Sequence, residues 1–241
     1  MPVTACAIPM LSDNYAWLLT ESVTGITGVV DPAEAEPVLE ILHAQGRTLD
    51  FIFLTHHHAD HIGGVPKLVA RYQPWVVGNE ADAARLPPLN LPVHDGSLVA
   101  FGAATVRVMT IPGHTLGHIG YYIAADNLLF PGDTLFSLGC GRLFEGTAAQ
   151  MFSSLVKLSA LPDTTLVCAG HEYSAANARF ALSVDPDNEV LQARAREVET
   201  LRSQGKPTLP VPLGVERATN PFLRAENVEI FAALRQAKDN F

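Results

Sequence analysis

The sequence is poor in cysteine and in positive charge, and both shortages exclude classes of protein. Only three of its 241 residues are cysteines. They lie far apart and none forms a Cys-x-x-Cys pair, so we expect free, mostly buried thiols rather than a disulfide framework. Lysine and arginine number 16 against 25 acidic residues, and the formal net charge is -9. This balance argues against a nucleic-acid or membrane-surface partner, because either would need a basic face.

Long apolar runs are missing as well. No stretch approaches the roughly 18 apolar residues of a membrane-spanning helix, and neither Lys nor Arg occurs before Arg47. The basic start of a secretory signal is therefore absent. We expect a cytoplasmic protein, or one in an organelle lumen after processing. Hydrophobic residues make up 48% of the chain, which is enough for one large domain or one domain with a smaller appendage.

The most informative stretch is Thr-His-His-His-Ala-Asp-His-Ile-Gly-Gly at residues 55–64. It follows residues 51–54, a short run of Phe, Ile and Leu that predicts a buried strand. Four potential metal ligands therefore lie within six residues where a strand gives way to a helix. A solvated His-rich loop is the plain alternative, but three imidazoles and a carboxylate at this spacing suit zinc, iron or manganese.

The spacing within this stretch predicts that its histidine side chains point in different directions. Residues two apart on an extended chain point the same way, so we expect His56 and His58 to face one side. His57 should face the other side and bind no metal. Asp60 and His61 follow as the backbone turns.

Alternating strands and helices predict a layered α/β domain. The predicted strands lie at 3–9, 14–19, 28–30, 51–54, 75–77, within 98–110, and at 120–123, 128–130 and 165–169, and the predicted helices at 35–45, 65–71 and 148–159. The segments 86–92 and 139–141 are expected to be a connection and a flexible loop.

The character of the chain changes after His171. The segments 173–184, 189–204 and 228–238 have helical patterns, and 207–214 is a Pro-rich connection. We therefore expect two domains, residues 1–170 and a mostly helical unit of residues 171–241.

Three further ligand candidates follow predicted strands. His114 stands in Gly-His-Thr, Asp133 in Pro-Gly-Asp-Thr, and His171 ends the run at 165–169. Taken alone, His114 would more often be structural, Asp133 would more often form a turn, and His171 would be ambiguous. Together with the histidine tract they make seven candidates, and because one zinc takes about four ligands, we expect two metals with Asp133 as the bridge. Ions about 3.5–4 Å apart lower the pKa of a shared water toward 7.

This ligand pattern resembles that of the metallo-β-lactamase superfamily, which implies an αβ/βα sandwich with metals at one edge of its two sheets. Three segments narrow the resemblance to the glyoxalase II, or hydroxyacylglutathione hydrolase, family. They are Gly-Cys-Gly-Arg-Leu-Phe-Glu-Gly-Thr at 139–147, His-Glu-Tyr at 171–173, and Leu-Arg-Gln-Ala-Lys-Asp-Asn-Phe at 234–241. The resemblance extends from Asp13-Asn14-Tyr15 to the last residue.

The resemblance implies how the ligands are shared. One metal is expected on His56, His58 and His114, and the second on Asp60, His61 and His171. Asp133 is expected to bridge them, with a metal-bound bridging hydroxide held at Asp60 and Asp133. Two divalent ions per chain follow, with zinc favoured and iron or manganese as alternatives.

The resemblance also implies glutathione contacts from Arg142, Phe144, Tyr173, Arg235 and Lys238. The three cations suit the two carboxylates of glutathione, although Arg235 and Lys238 fit a solvated helix end equally well. Asn177 shares a helical face with Tyr173 and either reaches the site or is an ordinary polar helix residue. Phe144 stands where some relatives have Tyr, and the segment before the last helix is shorter than in many of them.

The function implied is hydrolysis of S-D-lactoylglutathione to D-lactate and glutathione in methylglyoxal degradation. Residues 1–170 would form the catalytic domain and residues 171–241 the substrate-binding domain of a cytoplasmic monomer. Three alternatives stay open: a persulfide dioxygenase with one iron, a β-lactam hydrolase of the same fold, which would normally be exported, and a non-catalytic scaffold.

Overall fold

The computed structural model describes residues 3–241, so Met1 and Pro2 of the expected catalytic domain lie outside the described residues. The chain forms two compact units that alternate along the sequence. Unit 1 comprises Met1–Thr110 and Gly117–Gly132, and unit 2 comprises Ile111–Leu116 and Asp133–Phe241.

Unit 1 contains a six-stranded mixed sheet whose strands lie side by side in chain order. The first three are antiparallel, and the third to the sixth are parallel. The strands are β1 (Val3–Met10), β2 (Asn14–Glu21), β3 (Thr27–Val30), β4 (Phe51–Phe53), β5 (Trp75–Asn79) and β6 (Leu91–Val93).

Three helices of unit 1 follow parallel strands. They are α1 (Glu36–Ala44), α2 (Ala59–Ile62) and α3 (Val65–Tyr72). Val38 and Leu42 of α1 and Leu68 of α3 pack in one apolar cluster with Ile52 of β4. A parallel strand that is covered on both faces needs apolar side chains on both. This explains the continuous hydrophobic sequence of β4.

The other face of β4 packs against a second set of strands in unit 1. β7 (Leu98–Phe101), β8 (Ala104–Thr110), β9 (Ile119–Ile123) and β10 (Leu128–Phe130) pair antiparallel in the order β10-β9-β8-β7. The ring of Phe53 lies 5.9 Å from Phe101 and 5.1 Å from Tyr121. Two sheets therefore pack face to face, and one of them carries helices on its outer side.

Unit 2 is mainly helical. Its strands form two short antiparallel pairs, β11 (Leu135–Phe136) with β12 (Gly139–Cys140) and β13 (Leu166–Val167) with β14 (Val211–Pro212). Its helices are α4 (Ala148–Ser159), α5 (Ser174–Val184), α6 (Glu189–Ser203), α7 (Leu213–Thr219) and α8 (Val228–Asp239). Across residues 3–241, no helix combines the length and the apolar character that crossing a bilayer requires.

Most of the predicted elements are confirmed within a few residues, and three expectations are wrong. Residues 139–141 were expected to be flexible, but β12 is buried and paired. The connection 86–92 contains the start of β6, and the connection 207–214 contains β14 and the start of α7. Strand pairing orders each segment, although its glycine or proline content suggests irregular chain. β12 pairs with the adjacent β11, whereas β6 pairs with β5 and β14 with β13.

The capping box at the start of α4 gives a stability prediction. Thr147 Oγ1 accepts a hydrogen bond from the backbone N–H of Gln150, and Gln150 Oε1 accepts one from the N–H of Thr147. We expect Thr147→Ala to lower the free energy of unfolding by about 1 kcal/mol, measured by denaturant titration. Thr200→Ala, an exposed change inside α6, should stay within about 0.5 kcal/mol of the parent. Equal effects of the two changes would contradict the role of the cap.

The burial of two cysteines predicts a thiol titration. Cys6 is exposed, whereas Cys140 and Cys168 are buried. Burial raises the pKa of Cys140 to about 12 and that of Cys168 well above its ordinary value. A thiol with a raised pKa stays protonated and unreactive at neutral pH. An aromatic disulfide reagent at pH 7.5 should therefore modify Cys6 rapidly and the other two only after denaturation, and rapid modification of all three would contradict this prediction.

Candidate metal and substrate site

In unit 1 the histidine tract begins where β4 ends, and it leads into α2. Thr55 and His56 are almost fully buried, and His58 stands at the N-terminal end of α2, immediately before its first residue. β4 lies between two parallel neighbours, so the tract sits at the carboxyl edge of the sheet, where open α/β sheets place their binding sites. The rigid strand thus fixes the start of the tract.

Thr55 sets the orientation of the first imidazole. Its hydroxyl donates to Oδ2 of Asp31 at 2.6 Å and lies 2.9 Å from Nδ1 of His56. Because a hydroxyl has one hydrogen, His56 Nδ1–H is the donor to Thr55. Nε2 of His56 then carries the lone pair and lies 3.0 Å from Nδ1 of His58. Two ligand nitrogens of one tetrahedral zinc, at 2.0–2.1 Å each, stand roughly 3.3 Å apart, so this pair suits a shared ion.

Asp31 also orients the second imidazole. Its Oδ2 lies 3.0 Å from Nδ1 of His61, and its Oδ1 accepts from the N–H of Thr55. Ligand atoms of Asp31, His56 and His61 lie within 4.8 Å of one another. Since both oxygens of Asp31 already bind donors, its role is to hold the ligands, as carboxylates behind metal-bound histidines do. Sequence reasoning missed Asp31, which directly follows the predicted strand at 28–30.

Asn14 positions the carboxylate of the tract. Its Nδ2 donates to the backbone carbonyl and to Oδ2 of Asp60, both at 3.0 Å. Oδ2 of Asp60 in turn lies 3.6 Å from Nε2 of His61. Asp60 and His61 therefore present their ligand atoms side by side, and Asn14 is a second residue whose role the sequence did not reveal.

His57 is held away from these groups, as the extended-chain argument predicts. Its Nδ1 lies 3.0 Å from Oδ2 of Asp82, whose other oxygen, Oδ1, accepts from Nε of Arg85. His118 is fully buried and stacks on His56 with 4.7 Å between ring centroids. It supports the plane of that ring.

Unit 2 gathers the other three predicted ligands. Nε2 of His114 lies 3.5 Å and Nε2 of His171 lies 3.3 Å from the same oxygen, Oδ2 of Asp133. Nδ1–H of His114 donates to the carbonyl oxygen of Arg142 at 2.9 Å, which leaves its Nε2 as an acceptor. A Cβ at Gly141 would collide with the carbonyl oxygen of Asp133, so this approach requires glycine.

Each unit therefore presents imidazoles of defined tautomer next to carboxylates. In His56, His61 and His114 the Nδ1 side is held by an oxygen, which turns Nε2 toward a ligand partner. This is the usual environment of metal-binding histidine. The donor set of neutral imidazoles and carboxylates fits divalent zinc, iron or manganese.

Two aromatic side chains flank the histidines of unit 2. Tyr173 stacks on His171 with 4.6 Å between centroids and 8° between planes, and Phe144 meets His114 edge-on at 5.1 Å. Tyr173 is 37% and Phe144 62% exposed. They offer an accessible apolar surface beside two candidate ligands, consistent with the predicted substrate contacts.

A group of cations surrounds Lys238 in the same unit. Its Nζ lies 5.3 Å from the ring of Phe180 and 3.4 Å from the carbonyl of Ala176. Partial burial, followed by the charges of Arg235, Arg179 and Arg142, lowers the pKa of Lys238. An anion bound here would relieve that repulsion. Arg179 is an addition to the predicted cations, and no family motif in the sequence marks it.

Asn177 and Arg235 have other partners. Both are buried, and Asn177 Nδ2 donates to the carbonyl of Ser137 while Arg235 Nη1 donates to that of Cys140. Nη2 of Arg235 binds Asp239. Arg142 has a side chain that is 66% exposed, and its Nε lies 3.8 Å from Oδ1 of Asp239. Direct substrate contact by Asn177 and Arg235 stays a prediction.

Comparison with known families accounts for most of the chain. Residues 15–171 match the model for the metallo-beta-lactamase superfamily, and residues 172–241 match that for the hydroxyacylglutathione hydrolase C-terminus. A hydroxyacylglutathione hydrolase of Ruegeria pomeroyi is 49% identical over the full length of both chains.

Solved structures show the same fold. The crystal structure of ETHE1 from Myxococcus xanthus superposes with a TM-score of 0.74 at 28% identity, covering 98% of this chain and 90% of that one. The protein TTHA1623, solved in a di-iron-bound form, superposes with a TM-score of 0.65 at 28% identity, covering 91% of this chain and all of the other.

These matches confirm the predicted αβ/βα sandwich with a helical C-terminal region. The fold and the His and Asp groups of each unit also support a pair of divalent metal ions. The chain belongs to the hydroxyacylglutathione hydrolase family of the metallo-β-lactamase superfamily.

Proposed function

We propose that the protein hydrolyses S-D-lactoylglutathione, and related S-2-hydroxyacylglutathiones, to the hydroxy acid and glutathione. The full-length relative that carries the name of this activity is the observation on which the proposal rests. The predicted class of enzyme, a thioester hydrolase, is confirmed at the level of the family.

The proposed metal ligands are those expected from the sequence: His56, His58 and His114 for one ion, Asp60, His61 and His171 for the other, and Asp133 for both. The arrangement within each unit supports them, because each histidine with a fixed tautomer turns Nε2 toward another proposed ligand. Zinc is the proposed metal, since it combines imidazole and carboxylate ligands readily, and iron and manganese are the alternatives.

Two bound ions would supply a hydroxide nucleophile at neutral pH and polarise the thioester carbonyl. The protein's own part is to hold the reacting groups. Asp31 and Thr55 keep His56 and His61 in one tautomer, and Asp60 and Asp133 serve as ligands rather than as proton carriers. A thiolate leaves readily without a proton, so no side chain has to act as a general acid.

Glutathione is proposed to lie along the exposed groups of unit 2. Tyr173 and Phe144 provide apolar surface near the reacting carbon, and Arg142 and Lys238 bind the carboxylates. Phe144 has no hydroxyl, so it contributes apolar contact alone. Asn177 and Arg235 complete the proposed set of substrate-binding residues. Their side chains donate to the carbonyls of Ser137 and Cys140, which favours a role in holding that segment over direct contact with substrate.

Residues 1–170 are proposed as the catalytic domain and residues 171–241 as the substrate-binding domain, which the meeting of the two family models at 171–172 supports. We also propose a cytoplasmic monomer whose partner is a small thioester. A net charge of -9 supports the absence of a nucleic-acid partner.

Release of free thiol from S-D-lactoylglutathione tests the proposed function. We expect metal-dependent turnover that a chelator abolishes and added zinc restores, with about two metals per chain by elemental analysis. His56→Ala should reduce kcat at least a thousandfold, because it removes a ligand that is rigidly held. One iron per chain with oxygen uptake would instead indicate a persulfide dioxygenase, and thiol release that resists chelation would contradict the metal mechanism.

The role of Lys238 is tested by a charge deletion with a matched control. A charge-assisted hydrogen bond to substrate contributes about 1.5–3 kcal/mol, so Lys238→Ala should raise KM at least about tenfold with little change in kcat. Lys206→Ala removes an equal charge from an exposed turn of the same unit. It should leave both constants within about twofold. Equal KM values for the two variants would exclude carboxylate binding by Lys238.

A further inference from the structure

The hairpin of β11 and β12, residues 135–140, is a buried part of unit 2 that the proposed mechanism leaves without a role. Its turn contains Leu138, which is fully buried at a φ of +59°. A leucine in this left-handed region is strained, so surrounding contacts must hold it there.

Glu216 of α7 provides the central contact. Its Oε1 accepts from the hydroxyl of Ser137 at 2.9 Å, and its Oε2 accepts from the N–H of Leu138 at 2.7 Å. Oε2 also accepts from Nδ2 of Asn220 at 3.0 Å. Burial raises the pKa of Glu216, and these hydrogen bonds and the charge of Arg194 lower it in part.

Further side chains bind the same hairpin. Asn220 Nδ2 donates to the carbonyls of Phe136 and Gly139 at 3.2 and 3.0 Å. Arg194 Nη2 donates to Oγ of Ser137 at 3.3 Å. Asn177 and Arg235 bind the carbonyls of Ser137 and Cys140. Each of the helices α5 to α8 therefore supplies a side chain, from within the helix or from its end, that hydrogen-bonds to the hairpin.

The ends of the hairpin carry parts of the proposed site. Asp133, the proposed bridging ligand, stands two residues before β11. Gly141 and Arg142 follow β12, and the Arg142 carbonyl fixes the tautomer of His114. A displacement of the hairpin would therefore move a ligand on one side and a ligand's hydrogen-bond partner on the other.

We propose that Glu216 is a positioning residue for the reaction, and that its hold on Ser137 and Leu138 sets the geometry of Asp133 and of His114. This rests on the proposed metal ligands. The carboxylate is needed rather than an amide, because its two oxygens accept from three donors. A glutamine would turn its NH2 group toward at least one of those donors.

The test compares Glu216→Gln with Thr219→Val in the metal-loaded, full-length protein. Thr219 is buried on the same helix, but its hydroxyl donates to the carbonyl of Val215 within that helix. The three readouts are thioester kinetics, the rate at which a chelator removes metal, and hydrogen–deuterium exchange of the peptide that contains residues 135–142.

In Glu216→Gln we expect kcat to fall at least tenfold, metal to be lost at least tenfold faster, and the hairpin amides to exchange at least tenfold faster. Thr219→Val should leave all three quantities within about twofold of the parent protein, even if it lowers Tm as much as Glu216→Gln does. Unchanged metal loss and exchange in Glu216→Gln, or equal changes in both variants, would overturn the proposal.

If Glu216→Gln does not fold, Asn220→Ala replaces it, since it removes two hydrogen bonds to the hairpin carbonyls and one to Glu216 while the carboxylate of Glu216 stays in place. It should show the same three changes at a smaller size, and its failure to do so would overturn the proposal. Metal loss and exchange are measured without substrate. They therefore decide the role of Glu216 even if the parent protein releases no thiol. Absence of thiol release would reject the proposed function but not the role of Glu216.

Discussion

The carboxylate of Asp31 is the constraint on which the rest of unit 1 depends. It is 4% exposed and receives hydrogen bonds from Thr55 and His61. Through Thr55 it also fixes His56. A neutral imidazole binds metal through the nitrogen that lacks hydrogen, so one buried anion determines which nitrogen two candidate ligands offer. Asp31 has a φ of +49°, a strained conformation of the kind that persists where surrounding contacts enforce it.

In unit 2 a backbone carbonyl, rather than a carboxylate, fixes the tautomer of a candidate ligand. The Arg142 carbonyl holds Nδ1–H of His114, so the tautomer depends on the position of a chain segment rather than on a side chain. That segment is fixed in turn by helices far along the sequence. The helical region would thus support the proposed metal ligands of unit 2 as well as the proposed binding of substrate.

The local parts of this organisation could be predicted from sequence. The histidine tract follows a strand that its own composition reveals, and the capping box of Thr147 and Gln150 is visible at a spacing of three residues. The motifs also identified the family, because they combine ligand types at several strand ends with family-specific segments.

The long-range parts could not be predicted in this way. Glu216 binds Ser137 across 79 positions, and nothing near Glu216 distinguishes it from a surface glutamate on a short helix. Gly139 and Gly141 suggest mobility by composition, whereas one lies in a paired strand and the other permits close approach to Asp133. Asp31 precedes a proline, and that local signal hides its contact with a histidine 30 residues away.

The hydrogen bonds of the hairpin bear on how such a protein can be divided. The family models meet between His171 and Glu172. Among residues 3–241, however, the side chains that hydrogen-bond to residues 136–140 come from beyond that point. A polypeptide cut there would retain peptide groups whose loss of partners costs about 1–3 kcal/mol each. The C-terminal segment is therefore no detachable module: a segment exchanged from another protein must again supply side chains that bind the peptide groups of β11 and β12.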